Sequence, residues 1–190
     1  MKAGISYTEI SENYDMVLKF VRNGKIFYRG QLKELKGKNW AFPDKKSMSG
    51  YILPLFLFHK LGIDVDTFFN YKYEAGSHDK AIELLLRGNV QIATTFEDVR
   101  ERLVDKYPDI FQKTKILYYT DSIPNDGFAI NKSIKKKDRE KIIRAIKELV
   151  LENKTLSYDW FGSYELVEAK NSDYDVLKEI FRSISDKISK

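Results

Sequence analysis

Residues 39 to 51 read Asn-Trp-Ala-Phe-Pro-Asp-Lys-Lys-Ser-Met-Ser-Gly-Tyr, a short apolar strand running into a hydroxyl-rich turn that opens a helix. The first turn of a helix carries N–H groups without intrahelical acceptors, together with the positive end of the helix dipole, and so attracts an anion. Ser47 and Ser49 would add two hydroxyl donors to the main chain of Met48, Ser49, Gly50 and Tyr51, and Gly50 would let that main chain approach a ligand closely. The expected guest is a phosphate-like oxyanion. For a single serine the alternative is a plain helix cap.

His78, one of two histidines, lies in the turn Ala75-Gly76-Ser77-His78-Asp79 just before a helix, where its ring can donate to an anion or serve only as a turn residue. His59, near the end of an apolar helix, fits packing or a dipole contact better. Two further turns carry acids. Glu97 stands beside Thr94, Thr95 and Asp98, and Asp126 lies in Pro124-Asn125-Asp126-Gly127. An ionised carboxylate only accepts hydrogen bonds, so acids beside an anion imply a ligand with a proton or an amine of its own. Phosphonate, phosphite and singly protonated phosphate qualify, whereas fully ionised sulfate is repelled. Otherwise Glu97 or Asp98 caps a helix and Asp126 merely turns the chain.

Composition narrows the function classes. The 190 residues are 43% hydrophobic and 32% charged, enough for one good core or two small lobes. The formal charge is +5, but 33 Lys and Arg are interspersed with 28 Asp and Glu. The dense basic run from Lys132 to Lys141 includes Asp138 and Glu140 and reads as a solvated helix face, so no nucleic-acid partner is expected. Without cysteine there is no disulfide framework, thiolate nucleophile or cysteine metal site. Neither a nucleophile with an activating base, nor a metal-ligand cluster, nor a Walker-type glycine loop is present, so we expect no enzyme, cofactor or metal. The longest apolar stretch, Tyr51 to Phe58, contains Pro54 and is too short to span a membrane, and the first residues lack the apolar run of a signal peptide.

The elements that must position these residues follow from periodicity and stop signals. Helices are expected at Tyr7 to Arg22, Ser49 to Leu61, Asp79 to Arg87, Glu97 to Tyr107, Asp138 to Glu152, Ser157 to Tyr164 and Asp173 to Ile188, with one helical turn at Leu32 to Leu35. Strands are expected at Lys25 to Tyr28, Trp40 to Phe42, Phe69 to Glu74, Val90 to Thr94, Lys115 to Tyr119 and Phe128 to Asn131. The alternation argues for a parallel-dominated α/β sheet with flanking helices. In such sheets ligands sit beyond the carboxyl ends of the strands, where the serine, histidine and acidic turns lie.

These turns, in this order, resemble the phosphate/phosphite/phosphonate substrate-binding proteins of ABC transporters, of the periplasmic binding protein type II-like class. The resemblance runs from Leu35-Lys36-Gly37-Lys38 and Trp40-Ala41-Phe42 through Asp44 to Tyr51, Ala75 to Asp79, Gly88 to Ala93 and Ile123 to Asp126. A weaker match, Leu166-Val167-Glu168-Ala169 followed by Asp173-Tyr174-Asp175, looks like that family's C-terminal helix entry. The resemblance implies that Ser47, Ser49 and the adjoining backbone hold the phosphorus oxyanion, that His78 donates to it, and that Glu97 and Asp126 accept from its hydroxyl or amine. The family's usual threonine is replaced by Met48, and its proline after the aspartate by Gly127.

The resemblance further implies a complete ligand-binding lobe over residues 37–126 and, in residues 1–36 and 127–190, the remnant of an incomplete first lobe: an N-terminal helix and hinge remnant, and C-terminal helices. Poor or altered affinity is then expected unless Tyr7, Tyr14, Phe27 or Tyr28 rebuilds the missing wall of the cleft or a second copy supplies it. It also implies an extracytoplasmic setting, an ABC permease or a fused or partner signalling protein, and no membrane insertion by this segment. The alternatives are a ligand-sensing domain of a receptor or regulator and, further off, an enzyme of the pyrimidine-precursor synthase type in which His78 reacts.

Overall fold

The computed structural model describes residues 14–21, 32–161 and 165–188. In chain order the strands are β1 Tyr14–Val21, β2 Asn39–Phe42, β3 Tyr71–Glu74, β4 Ile92–Ala93, β5 Gly127–Asn131 and β6 Glu165–Glu168. The described residues form two compact units, 32–121 with 180–188, and 14–21 with 122–179.

The unit that carries the serine turn is built on a parallel sheet of order β3-β2-β4. Strand β2 is its centre, and Trp40, Ala41 and Phe42 are buried, as expected of a parallel strand covered on both faces. An aromatic cluster packs around it. Trp40 stacks on Tyr51 with centroids 5.6 Å apart, Phe42 lies 4.5 Å from Tyr51, and Phe58 meets Phe69 edge to face at 5.2 Å. Such pairs contribute about 0.5–1.5 kcal/mol each beyond their buried area. A second cluster joins Ala41 to Ala81 and Val90, and a third gathers Ile82, Val99, Leu103 and Ile110.

Local signals explain the helices. The serine turn enters a widened helical turn, Met48–Ile52, that runs into the α-helix Leu53–Lys60, and Gly62 stops it with φ +70°. Ser77 caps His78–Leu86 by accepting from the Lys80 N–H at 3.2 Å, and Gly88, at φ +76°, ends that helix.

The other unit holds an antiparallel sheet of order β5-β1-β6. The helix expected over Tyr7 to Arg22 is overturned for its described part, because Tyr14–Val21 is the central strand of this sheet. Its sequence alternates at period two as well as repeating at helical spacing, and pairing on both edges selects the strand. The expected strand near Phe128 exists, but it pairs antiparallel with β1 and takes no part in the parallel sheet. Leu166-Val167-Glu168 forms β6, just ahead of the expected C-terminal helix, which begins with a 3-10 turn, Asn171–Tyr174, and continues as Asp175–Ser183. Tyr174 Oη donates to the Asn125 carbonyl at 3.1 Å, tying that turn to the chain just ahead of β5.

Two other expectations fail. Glu97 to Tyr107 holds only turns and the 3-10 helix Val99–Arg102, and Lys115 to Tyr119 forms no strand. The strand expected at Lys25 to Tyr28, and the wall residues Tyr7, Phe27 and Tyr28, lie outside the described residues.

Candidate functional site

Three of the turns that leave the parallel sheet are fastened to one another by the backbone. Strand β2 runs into the serine turn, β3 into the histidine turn, and β4 into the Thr94 to Asp98 turn. The ladder continues past the strands through Ala75 N–H to Phe42 O at 2.8 Å, Gly76 N–H to Pro43 O at 2.7 Å, and Thr94 N–H to Ala41 O at 3.0 Å. The three turns therefore emerge side by side beyond the carboxyl ends of adjacent strands.

Ser47 is the N-cap of the serine helix, with its Oγ accepting from the Gly50 N–H at 3.1 Å. The Tyr51 and Ile52 N–H groups both donate to the Ser47 carbonyl, at 2.9 and 3.0 Å. Met48 and Ser49 are half-buried, and their N–H groups find no acceptor among the described residues. The capping and binding readings of Ser47 are thus compatible, since its lone pair holds the helix while its hydroxyl proton remains a donor.

Two residues of this turn also have packing roles. An added Cβ on Gly50 would lie 2.4 and 2.5 Å from Pro43 ring carbons and 2.9 Å from Ser47 Oγ. Its lack of a side chain admits the Pro43 ring and leaves Ser47 in place. The Tyr51 side chain is core, and burial, with Asp66 and Glu74 adding to it, pushes its phenol above the usual range. The carbonyl of Gly50 accepts from the Thr94 hydroxyl, which in turn accepts from the Trp40 indole N–H at 2.8 Å. A fully buried tryptophan is satisfied through this relay, and the serine helix is pinned to the sheet by it. Thr94 was legible only as a neighbour of Glu97.

His78 is the first residue of its helix and is half-buried, with its ring edge to face on Phe96 at 4.8 Å. Phe96 donates its backbone N–H to His78 Nδ1 at 3.2 Å. A ring nitrogen that accepts carries no proton, so in the neutral ring the proton sits on Nε2. That atom lies 3.5 Å from Ser47 Oγ, bringing the first two expected site residues together. Sequence reasoning missed Phe96, whose contribution is a main-chain donor that residue type does not reveal.

The acids stand apart in two ways. Glu97 is exposed, in the turn that follows Phe96. Its neighbour Asp98, at φ +21°, makes no cap bond and instead takes Arg100 in a two-pronged ion pair at 2.6 and 2.7 Å. Arg100 also reaches the Thr114 carbonyl at 3.4 Å and lies 4.8 Å over the Phe111 ring, and its contact with Asp98 raises its already high pKa. Asp126 is exposed and belongs to the other unit, immediately before β5. His59 is exposed in the last turn of Leu53–Lys60, where a dipole role suits it. A cavity of about 580 Å³ lined by Arg139, Ile143, Glu168, Ala169, Lys170 and Asp173 contains none of the expected ligand groups. Among the described residues no acid and histidine cluster fits a metal ion, and no helix is long and apolar enough to cross a membrane.

A parallel α/β unit with a donor-rich helix start at the end of its central strand defines the binding-protein class of fold. The family model for the periplasmic phosphonate substrate-binding proteins of ABC transporters matches residues 11–174, and the chain belongs to that family. Among solved structures it resembles PhnD1 from Prochlorococcus marinus, determined in complex with methylphosphonate, at TM-score 0.67 and 19% identity over 93% of this chain and 69% of that one. It also resembles the binding protein component of an ABC phosphonate transporter from Pseudomonas aeruginosa, at TM-score 0.63 and 18% identity over 88% of this chain and 56% of that one. A Xanthomonas citri protein bound to chloride ion matches at TM-score 0.60 and 14% identity, over 93% of this chain and 66% of that chain. The chain thus spans between 56% and 69% of the length of these structures.

Proposed function

We propose that the chain captures a small phosphorus oxyanion without changing it chemically and delivers it to the permease of an ABC importer outside the cytoplasm. Phosphonate is the foremost candidate, with phosphite and phosphate as smaller analogues. The observation that carries this reading is the set of donors that meets at the serine turn. His78 Nε2–H, the Ser47 and Ser49 hydroxyls and the Met48 and Ser49 N–H groups all offer hydrogens at the positive end of one helix. A ligand oxygen lodged beside Ser47 would exchange the long 3.5 Å contact with His78 for a shorter, charge-assisted bond.

In this reading Glu97 accepts from a P–OH or an amine of the ligand, so the site favours protonated or aminated phosphorus acids over sulfate. No step asks His78 to act as a base. Its proton-free nitrogen is occupied by Phe96, which suits donation better than catalysis. Isothermal titration of the purified protein with phosphate, phosphite, methylphosphonate, 2-aminoethylphosphonate and sulfate tests the proposal. Saturable heat with at least one phosphorus acid and none with sulfate is expected. Silence with all four phosphorus acids, or an equal response to sulfate, overturns it, and mass-spectrometric detection of ligand turnover would replace capture by catalysis.

A further inference from the structure

The helix Lys136–Glu152 is charged against its own dipole. Its N-cap is Lys135, which makes no side-chain cap bond, and Lys136 and Lys137 follow in the first turn, outnumbering the one acid there, Asp138, with no basic residue in the last. Cations at the positive end of a helix are disfavoured, and adjacent like charges repel. Lys135, Lys136, Lys137, Lys141 and Arg144 are all exposed and make no ion pair among the described residues. Local preference is overridden at this helix start, as happens at functional surfaces.

Lys137, Lys141 and Arg144 recur at i, i+4 and i+7 and so form one row along the helix, closed by Glu148. The adjoining row runs from Asp138 through Ile142 and Ala145 to Leu149, with Ile142 39% and Leu149 52% exposed. Of the helix's seventeen residues only Val150 is buried. A cationic row beside an exposed apolar row is the arrangement of helices that lie in a lipid headgroup layer. We propose that this helix docks the protein peripherally on an anionic phospholipid surface, with Lys137, Lys141 and Arg144 among the headgroup phosphates and Ile142 and Leu149 at their inner margin.

Charge complementarity would be met equally by nucleic acid. A nucleic-acid backbone leaves Ile142 and Leu149 in water, however, and neither row contains an aromatic side chain for a base to stack on. The lipid interface satisfies both rows at once, without any segment crossing the bilayer. It holds the protein near the plane in which a membrane-embedded acceptor would lie.

The test is co-sedimentation of the full chain with vesicles of phosphatidylcholine alone and of phosphatidylcholine mixed with phosphatidylglycerol, at low and high salt. Binding is expected only to the mixed vesicles, and it should weaken with salt. The K137Q/K141Q/R144Q variant should lose about a hundredfold in partitioning, at roughly fivefold per charge, while K137R/K141R retains it. I142S/L149S should also bind less, and all substituted positions are exposed, so circular dichroism should be unchanged. Equal binding to both vesicle types, full binding by K137Q/K141Q/R144Q, or full binding by I142S/L149S with displacement by duplex DNA overturns the proposal. So does the absence of binding at low salt.

Discussion

The backbone N–H of Phe96 donates to His78 Nδ1 at 3.2 Å, and this one bond decides which face of the imidazole carries its hydrogen. Two turns that leave different strands are coupled through it, so what His78 offers to a ligand is set by the path of the chain after β4. The tautomer can be read without any ligand. Nitrogen-15 NMR of the neutral protein should show His78 with a protonated Nε2 and an unprotonated Nδ1, and the reverse pattern would remove the donor from the site.

His78→Ala should weaken phosphonate binding by roughly ten- to a hundredfold, the usual weight of a hydrogen bond to a charged acceptor. His78→Gln, whose amide can place a donor near the Nε2 position, should recover part of that loss. Titration calorimetry of the two variants beside wild type distinguishes a lost donor from a general disturbance.

Gly50→Ala should destabilise the protein by about 1–3 kcal/mol, because its Cβ meets the Pro43 ring at 2.4 Å. The same Cβ crowds Ser47 Oγ at 2.9 Å, so affinity should fall along with the denaturation midpoint. A variant of normal stability would show that Pro43 yields easily and that the glycine is not a packing requirement.

Thr94→Val removes the hydroxyl that links Trp40 to the Gly50 carbonyl and leaves a buried indole N–H without an acceptor. The expected cost is about 1–3 kcal/mol in urea unfolding. Thr94→Ser keeps the relay and should lie near wild type. A Thr94→Val variant as stable as wild type would show that the relay contributes nothing to stability.

The Tyr51 phenol is raised by burial, and by Asp66 and Glu74, above the value near 10 that it has in the unfolded chain. The folded state then holds this proton to higher pH than the unfolded state does. Its contribution to stability is complete below pH 10 and is lost as pH rises above it. Tyr51→Phe should flatten the alkaline fall in stability, although not abolish it, because Tyr119 is raised by burial and by Asp98 and Glu97 as well. Urea titrations on either side of pH 10 measure the difference.

Much of the serine lobe could be read from the chain because its signals are local. A serine that caps three residues ahead, at Ser47 and again at Ser77, and glycines at positive φ after Leu61 and Arg87 are short-range devices. Strand β1 was illegible for the opposite reason. Its two partners, residues 127–131 and 165–168, are more than a hundred positions away, and a single sequence window contains neither. The failed helix after Glu97 likewise reflects an ion pair, Asp98 with Arg100, that claims the side chain a cap would need. That Gly50 admits the Pro43 ring is a fact held only in three dimensions.

Strand β2 occupies the middle of its sheet, with β3 on one edge and β4 on the other. The cradle at its end is therefore a fixed address, while the loops on either side are separately editable. In the proposed site, the acids after β4 or the residues around His78 can be exchanged to retune which anion is accepted while the central strand and its turn stay as they are. New preferences within such a lineage should accumulate at those two flanks and spare the centre.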